Sequence, residues 1–531
     1  MPALRDPLIE SAQTVPRVVD LSPTGGCGLV ATLALGLGAF GALDAVRQNP
    51  DLQWSFFGSS VLLLVWSGVT FGQAHRQGRR LALEAVVRKH HLVQALAQLA
   101  FLLYWGWYWR PVYDAAFLVA AQLVFAYAFD MLLCWSRRDT YTLGFGPFPV
   151  IFSINLFLWF ADDWFYLQFL LVGCGFAAKE LIRWTKDGRR VHIFNPSSFP
   201  LALFSLALIL TGTSDLTWGQ DIAAAQFFPP HVYLVLFLVA LPGQYLFGVA
   251  SMTMSAVVVT YLFGLLYFGA TGVYFFYDSY VPIAVFLGMH LLFTDPSTAP
   301  RTQMGRLLFG AFYGVSTVAL YALLSRAGVP PFYDKLLQVP LLNLSIQWLD
   351  RLARSTRLRR VELGLGSLAV EGRRRNLAYA GLWAVVFTLM SAVQGVGDRH
   401  PGQWVPFWQG ACADQRPSAC QYLDNLQRRF CDTGSGWACN EVGLVARDSL
   451  VAEDAFGRGC DLGFAPACGN LTSLVSGREP VAFEQALPTL DDYPIILRGT
   501  KGPMVDRSPE ALLAQACSQG WADSCGRRPI K

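Results

Sequence analysis

Two short loops carry residues whose types and spacing suit chemistry. The first, Arg189-Arg190-Val191-His192-Ile193-Phe194-Asn195-Pro196-Ser197-Ser198, opens the apolar run that begins at Phe199. The second, Phe293-Thr294-Asp295-Pro296-Ser297-Thr298-Ala299-Pro300-Arg301, comes shortly before the run from Leu307. Each reads as a helix start, with Asn or Asp at the N-cap, Pro at the first helical position and Ser behind it. The N–H groups and positive dipole end of such a start suit an anion or a phosphate. Arg189, Arg190 and Arg301 stand beside them, so Asn195, Ser197, Thr294, Asp295 and Ser297 join those arginines as candidate binding residues. The plainer alternative is ordinary loop-to-helix punctuation with arginines nearby.

A second group is ionisable and lies within or at the ends of apolar runs: Asp130, Lys179, Glu180 and His290. Charge inside a bilayer costs at least about 2.5–3.5 kcal/mol, which marks such residues for function. Asp130 and His290 are therefore candidates for an ion pathway. Asp130 sits about one turn from the end of its run, where an ion pair with Arg137 or Arg138 is the structural alternative, and Lys179 can snorkel to the interface. His290 has no second histidine at matching depth, which excludes bis-histidine haem. No Walker loop, no G-x-G-x-x-G after a strand and no Ser-His-Asp or Cys-His set occurs.

The third group is sulfur. Eight of the 11 cysteines fall after residue 405 at one repeated spacing: Cys412/Cys420, Cys431/Cys439, Cys460/Cys468 and Cys517/Cys525. Gly434, Gly463 and Gly520 follow the first cysteine of their pairs by three positions, and Gln415 takes that place in the first pair. Glycine there fits a helix end, a short turn and a new helix, with a disulfide across the turn contributing roughly 2–3 kcal/mol. Zinc ligation is the alternative, but metal sites use closer spacing and usually histidine, and the tail has only His400. The sequence names no metal site.

These groups must be positioned by a membrane protein. Of 531 residues 53% are hydrophobic and only 15% charged, with a net charge of +4, and mean hydropathy is +0.37. Soluble proteins carry about 25% charged residues, so a soluble enzyme, a disordered chain and a nucleic-acid binder are excluded. Apolar runs long enough to span occur near 26–46, 56–73, 92–109, 113–135, 148–161, 164–181, 197–213, 231–250, 254–277, 280–294, 306–325, 330–349 and 377–396. The run at 330–349 contains Asp334 and Lys335 between Pro331 and Pro340, which fits a re-entrant segment as well as a crossing.

Arginine and lysine collect in alternate loops, including Arg76–Lys89, Arg137–Arg138, Arg183–Arg190, Arg301–Arg306 and Arg351–Arg375. Positive charge marks the cytoplasmic side. The N-terminus is then cytoplasmic, and with an odd count the tail lies outside, where paired cysteines belong. The expected fold is all-α, a polytopic transmembrane bundle of about 12–13 crossings followed by a disulfide-tied helical-repeat domain. Its parts are an N-terminal segment with two crossings (1–89), the main bundle (90–350), a basic cytoplasmic segment (351–376), a final crossing (377–396) and an extracytoplasmic repeat domain (405–531). A cell inner membrane with a periplasmic tail is the expected location.

The tail frames CDTGSGWAC, CDLGFAPAC and CSQGWADSC resemble the cysteine-rich Sel-like repeat proteins over roughly 405–475 and 508–527. That resemblance implies a solenoid whose concave surface docks an extracytoplasmic protein partner. The bundle carries HIFNPSSF, LLFTDPSTAPRTQMGRLLFG and FYDKLLQVPLLNLSIQWLDRL. Through these it is similar, over roughly 90–350, to the NqrB/RnfD-like family of membrane proteins, which serve the sodium-pumping NADH:quinone reductase and the Rnf electron-transport complex. The resemblance implies a helical bundle that holds flavin and takes part in electron transfer coupled to ion movement, alongside other membrane subunits. Asn195, Pro196, Asp295 and Pro296 match that family's two Asn/Asp-Pro loops. The family's Ser-Gly-Ala-Thr attachment motif has only Phe268-Gly269-Ala270-Thr271 as a near match, without the serine, so FMN or riboflavin is expected without a covalent bond. No NADH site is visible, so the chain would be one part of an oxidoreductase complex and not a complete enzyme. The alternatives are a small-solute transporter or channel using the same bundle, and a membrane scaffold acting through its external repeats.

Overall fold

A computed structural model describes residues 17–482, apart from 187, 228, 359, 363, 365–371, 404 and 433. Helix dominates. Six helices among the described residues are long and apolar enough to cross a membrane: α1 (Pro23–Phe40), α2 (Pro50–Arg76), Ala116–Trp135, Ala250–Thr271, Gln303–Arg326 and Gly372–Val393. Their outward positions are apolar as well, with Leu35, Val61, Val65 and Leu266 exposed. In water such a surface would be a liability, whereas against lipid a helix that satisfies its own backbone is the required solution.

Between residues 89 and 353 the chain repeats one five-helix plan. The first unit is α3 (Lys89–Tyr108), α4 (Ala116–Trp135), α5 (Pro147–Asn155), α6 (Tyr166–Leu181) and α7 (Ser198–Thr211). The second is α8 (Val232–Phe247), α9 (Ala250–Thr271), α10 (Ile283–Leu292), α11 (Gln303–Arg326) and α12 (Gln338–Ala353). Corresponding helices start at a near-constant offset in sequence. Packing repeats too: α4 lies on α6 as α9 lies on α11, and α6 lies on α7 as α11 lies on α12. The third helix is short in both units, and each is entered through proline, Pro147 and Pro149 in one and Pro282 in the other. Five is odd, so the second unit enters the bundle from the end where the first leaves it. Such a plan tends to gather polar and charged groups where the short elements of the two halves meet.

The loops segregate into two ends. At one end β1 (Arg17–Leu21), β2 (Leu81–Ala85) and β3 (Thr140–Leu143) form a small sheet, with Leu21 opposite Leu81 and Ala82 opposite Thr140. That sheet brings the Arg76–Lys89 and Arg137–Arg138 loops together, in keeping with their shared charge. A hairpin of β4 (Arg183–Lys186) and β5 (Arg189–His192) carries further arginines. These strands are a correction to a purely helical expectation; they close loops, and Leu81 of β2 and Tyr141 of β3 are buried in the core. At the other end Asn49 Nδ2 donates to Asp163 at 2.6 Å and Phe160 bridges to Thr217.

Two expected runs take other forms. The 148–161 run is helical only to Asn155 and continues irregularly. The 330–349 run divides into a 3-10 turn, Pro331–Lys335, and α12; Pro340 has no N–H to give the Leu336 carbonyl, so the helix does not run back through the turn. The last long helix, α13, spans Gly372–Val393, a few residues earlier than its hydropathy suggested.

Beyond it follow α14 (Val405–Ala413), α15 (Ala419–Asp432), α16 (Gly436–Val445), α17 (Ser449–Asp461) and α18 (Ala465–Val475). Disulfides Cys412–Cys420, Cys431–Cys439 and Cys460–Cys468 each cross the turn between consecutive helices. The Cys517–Cys525 pair lies outside the described residues. The first helices of the tail sit on the bundle itself. Arg416 donates to the carbonyl of Gly272 at 2.9 Å, Gln403 to that of Asp278 at 3.0 Å and Tyr422 to that of Phe275 at 3.3 Å. Arg429 pairs with Asp278 and lies 4.2 Å from the Phe227 ring.

Candidate functional site

The two Pro loops meet. Asn195 Oδ1 accepts from the N–H of Ser197 at 2.9 Å and of Ser198 at 3.2 Å, and from the Ser197 hydroxyl at 2.7 Å. Its Nδ2 donates to the Leu292 carbonyl at 2.9 Å, and its N–H donates to Asn343 Oδ1 at 3.1 Å. Asp295 Oδ1 accepts from the Ser297 N–H at 3.0 Å and hydroxyl at 2.6 Å. Having given its proton to Asp295, Ser297 accepts from His192 Nε2 at 2.9 Å, which fixes the proton on that nitrogen. Burial pushes the Asp295 carboxyl up, but the hydrogen bond and charge of His192 and the Ser297 donors outweigh it and hold the group well below the usual carboxylate range. Asp295 and Ser297 both address the same nitrogen, so the three do not form a relay.

The start of α11 is capped just as fully. Asp350 accepts from the N–H groups of Arg301 and Thr302 at 3.0 and 2.9 Å. Glu362 accepts from Gln303 and Met304 at 3.1 and 2.8 Å. The N–H groups of Arg301, Thr302, Gln303 and Met304 are thus taken by this chain's own oxygens. Thr294 donates to the His290 carbonyl at 2.9 Å, and Arg190 and Arg301 are exposed on either side. Arg189 opens β5 beside Arg190. Thr271 ends α9 and donates to the Tyr267 carbonyl at 2.8 Å.

Asp130 finds its cation on the neighbouring helix, Lys179 of α6 at 3.5 Å, and not on Arg137 or Arg138. Arg138 turns instead to Glu180 at 2.9 Å, which Arg183 also meets at 2.6 Å. This is a structural ion cluster where α4 and α6 reach the basic end. His290 lies in a five-residue π-turn that completes α10, the kind of irregularity often kept at functional sites. Its Nδ1 contacts the Phe286 carbonyl at 2.7 Å, and its ring packs among Phe286, Trp383 and Phe237. Asp130 and His290 belong to different units, Asp130 on α4 and His290 on α10.

The residues that sequence reasoning passed over are Asp334 and Lys335. They were noted as a sign of re-entrance, yet they are the most deeply placed charges in the bundle, 2% and 3% exposed. Lys335 Nζ stands 3.6 Å from Asp334 Oδ1, donates to the Phe332 carbonyl and lies 5.4 Å from the Phe332 ring. Tyr313 donates to the Lys335 carbonyl at 3.1 Å. Tyr313 stands roughly 15 Å along the 24-residue α11, close to its middle. A Cβ on Gly288 would meet Tyr313 Oη at 2.8 Å, Lys335 Cβ at 3.8 Å and Phe157 at 3.9 Å. Phe157, two residues past the end of α5, and Gly288 in the middle of α10 therefore meet beside Lys335. Asp334 Oδ1 has no hydrogen-bond partner among the described residues.

No family model, no curated protein and no solved structure matches the chain.

Proposed function

We propose that the protein is a multi-pass inner-membrane subunit that moves an ion through its double five-helix bundle, with Asp334–Lys335 as the charge-binding step. One observation carries this reading: an adjacent acid and base, almost wholly buried where α10 meets the segment that follows α5. Burying such a pair costs more than its attraction returns, and replacing it with apolar residues is often stabilising. Its presence at that depth therefore favours a role in moving charge over one in holding the fold. On this reading the short helices count as crossings, thirteen in all, the arginine-rich end faces the cytoplasm and the disulfide tail lies outside.

The ion-moving half of the resemblance to the reductase and Rnf membrane proteins is kept. The Asn195 and Asp295 loops become structural clamps between the units, so a flavin would need donors other than theirs. With α14 and α15 seated on the bundle, an extracytoplasmic partner is offered α17 and α18. The test is electrical. Full-length protein in liposomes should carry a current that a voltage-sensitive dye reports, and Asp334→Asn should lower it at least tenfold. Unchanged current in that variant overturns the proposal, and a yellow preparation with a flavin spectrum would restore the electron-transfer reading.

A further inference from the structure

We infer that the ion handled at Asp334–Lys335 is the proton, an inference that rests on the reading of this pair as the charge-binding step. The acceptors around the pair decide between ions. A metal cation in an oxygen site takes roughly six or more oxygen ligands. Here the Phe332 carbonyl already accepts from Lys335 Nζ, and the Lys335 carbonyl accepts from Tyr313. Gln338 Nε2, close by on α12, donates to Thr317 at 2.9 Å. The rings of Phe332 and Phe157 supply further neighbours, and these are apolar. Asp334 Oδ1 and Gln338 Oε1 are the buried acceptors left here without a hydrogen bond, too few for a metal cation's shell, whereas one lone pair is all a proton requires.

Charge points the same way. An ammonium 3.6 Å from that oxygen repels any metal cation arriving there. A small anion approaching Lys335 meets the carboxylate. No group of three or more His, Cys, Asp or Glu suited to a metal occurs among the described residues. The elements packed against the turn add few titratable groups. The helix Gly219–Ala225 brings Asp221, which is exposed, α10 packs through its apolar first turns, α11 brings Tyr313 and Tyr321, and α12 carries Asp350 and Arg351 in its last turn, far from the pair.

The step balances simply. A hydronium ion gives up a proton, leaving water, as an O–H bond forms at Asp334 Oδ1; the carboxylate becomes a neutral acid, and the pair passes from zero net charge to the single positive charge of Lys335. Release of the proton restores the salt. The turn is tied towards the tail end of the bundle by Tyr333, whose hydroxyl donates to the half-buried Ser214 at 2.9 Å. That contact places the pair one residue from a segment within reach of water.

The experiment uses full-length protein in liposomes loaded with a pH-reporting dye, under a potassium diffusion potential set by valinomycin. An interior-negative potential should acidify the lumen at the same rate in sodium and in N-methylglucamine buffers. Asp334→Asn should slow acidification at least tenfold, and Asp334→Glu, which keeps a carboxyl, should stay within about threefold of wild type. Infrared difference spectra should show a carboxylic-acid band that titrates in wild type, shifts in Asp334→Glu and is lost in Asp334→Asn. Current without acidification, dependent on sodium or chloride and lost in Asp334→Asn, would overturn the proton while leaving the proposed function standing. No current in wild type, or acidification indifferent to Asp334→Asn, would overturn both. Should Asp334→Asn fail to fold, the Glu variant decides: no titrating carboxyl band in it or in wild type defeats the inference.

Discussion

The two five-helix units solve the same packing problem with different polar chemistry. In the first, the buried polar groups beside the short helix are neutral, and three of them share a network. Gln122 and Asn155 exchange two hydrogen bonds at 3.0 and 2.9 Å, and Gln168 adds a third at 3.2 Å. In the second, the turn that packs against the short helix α10 holds a salt pair whose Asp334 Oδ1 makes no hydrogen bond. An amide network costs little once satisfied and gives a single rigid arrangement. A buried acid and base cost more and have two protonation states. Under the proposed function one unit is the frame and the other the working part, although the backbone plan is shared.

The largest break in that comparison comes from halving the pair. Lys335→Ala leaves a buried carboxylate uncompensated and should cost about 3–5 kcal/mol, whereas the double change Asp334→Leu with Lys335→Met should recover most of it. Thermal unfolding in detergent checks this, and equal melting points for the two variants would contradict it. Gln122→Leu in the first unit strands the Asn155 amide and should cost about 1–3 kcal/mol, with current per folded molecule unchanged. A tenfold fall in current would make both units working parts.

Cys431→Ser, which opens the bridge between α15 and α16, should lower the tail's stability by about 2–3 kcal/mol. Limited proteolysis should then cut the tail before the bundle. The smallest effects are those of pH. Burial pushes the Glu441 carboxyl up to about 7, only partly opposed by its hydrogen bond with Asn440. A raised folded value means stability present below the ordinary carboxylate range and lost as pH rises towards about 7. The tail should melt higher at acid than at mildly alkaline pH, and Glu441→Gln should flatten that slope. Asp295 has the opposite sign. Its lowered value makes its contribution complete above the ordinary range and lost as pH falls below about 3.9.

Much was legible from residue type and order alone. Apolar run length set the membrane class because a bilayer demands a fixed number of residues per crossing. Arginine placement sorted the loops into two ends, and one cysteine spacing named three bridges, since a disulfide closing a short turn is a local event. The Asn195 and Asp295 turns were equally readable as local caps. Local reading failed where partners came from far along the chain. Asp350 and Glu362 reach the N–H groups at the start of α11 from beyond that helix, Lys179 reaches Asp130 from a neighbouring helix, and the tail helices find the loop around Asp278. Asp334 and Lys335 looked like an interruption in a weak helix because a sequence shows charge without depth. Only the meeting of α10 and the segment after α5 beside that turn decided that the charges lie inside, where removal from water makes them costly to keep and easy to switch.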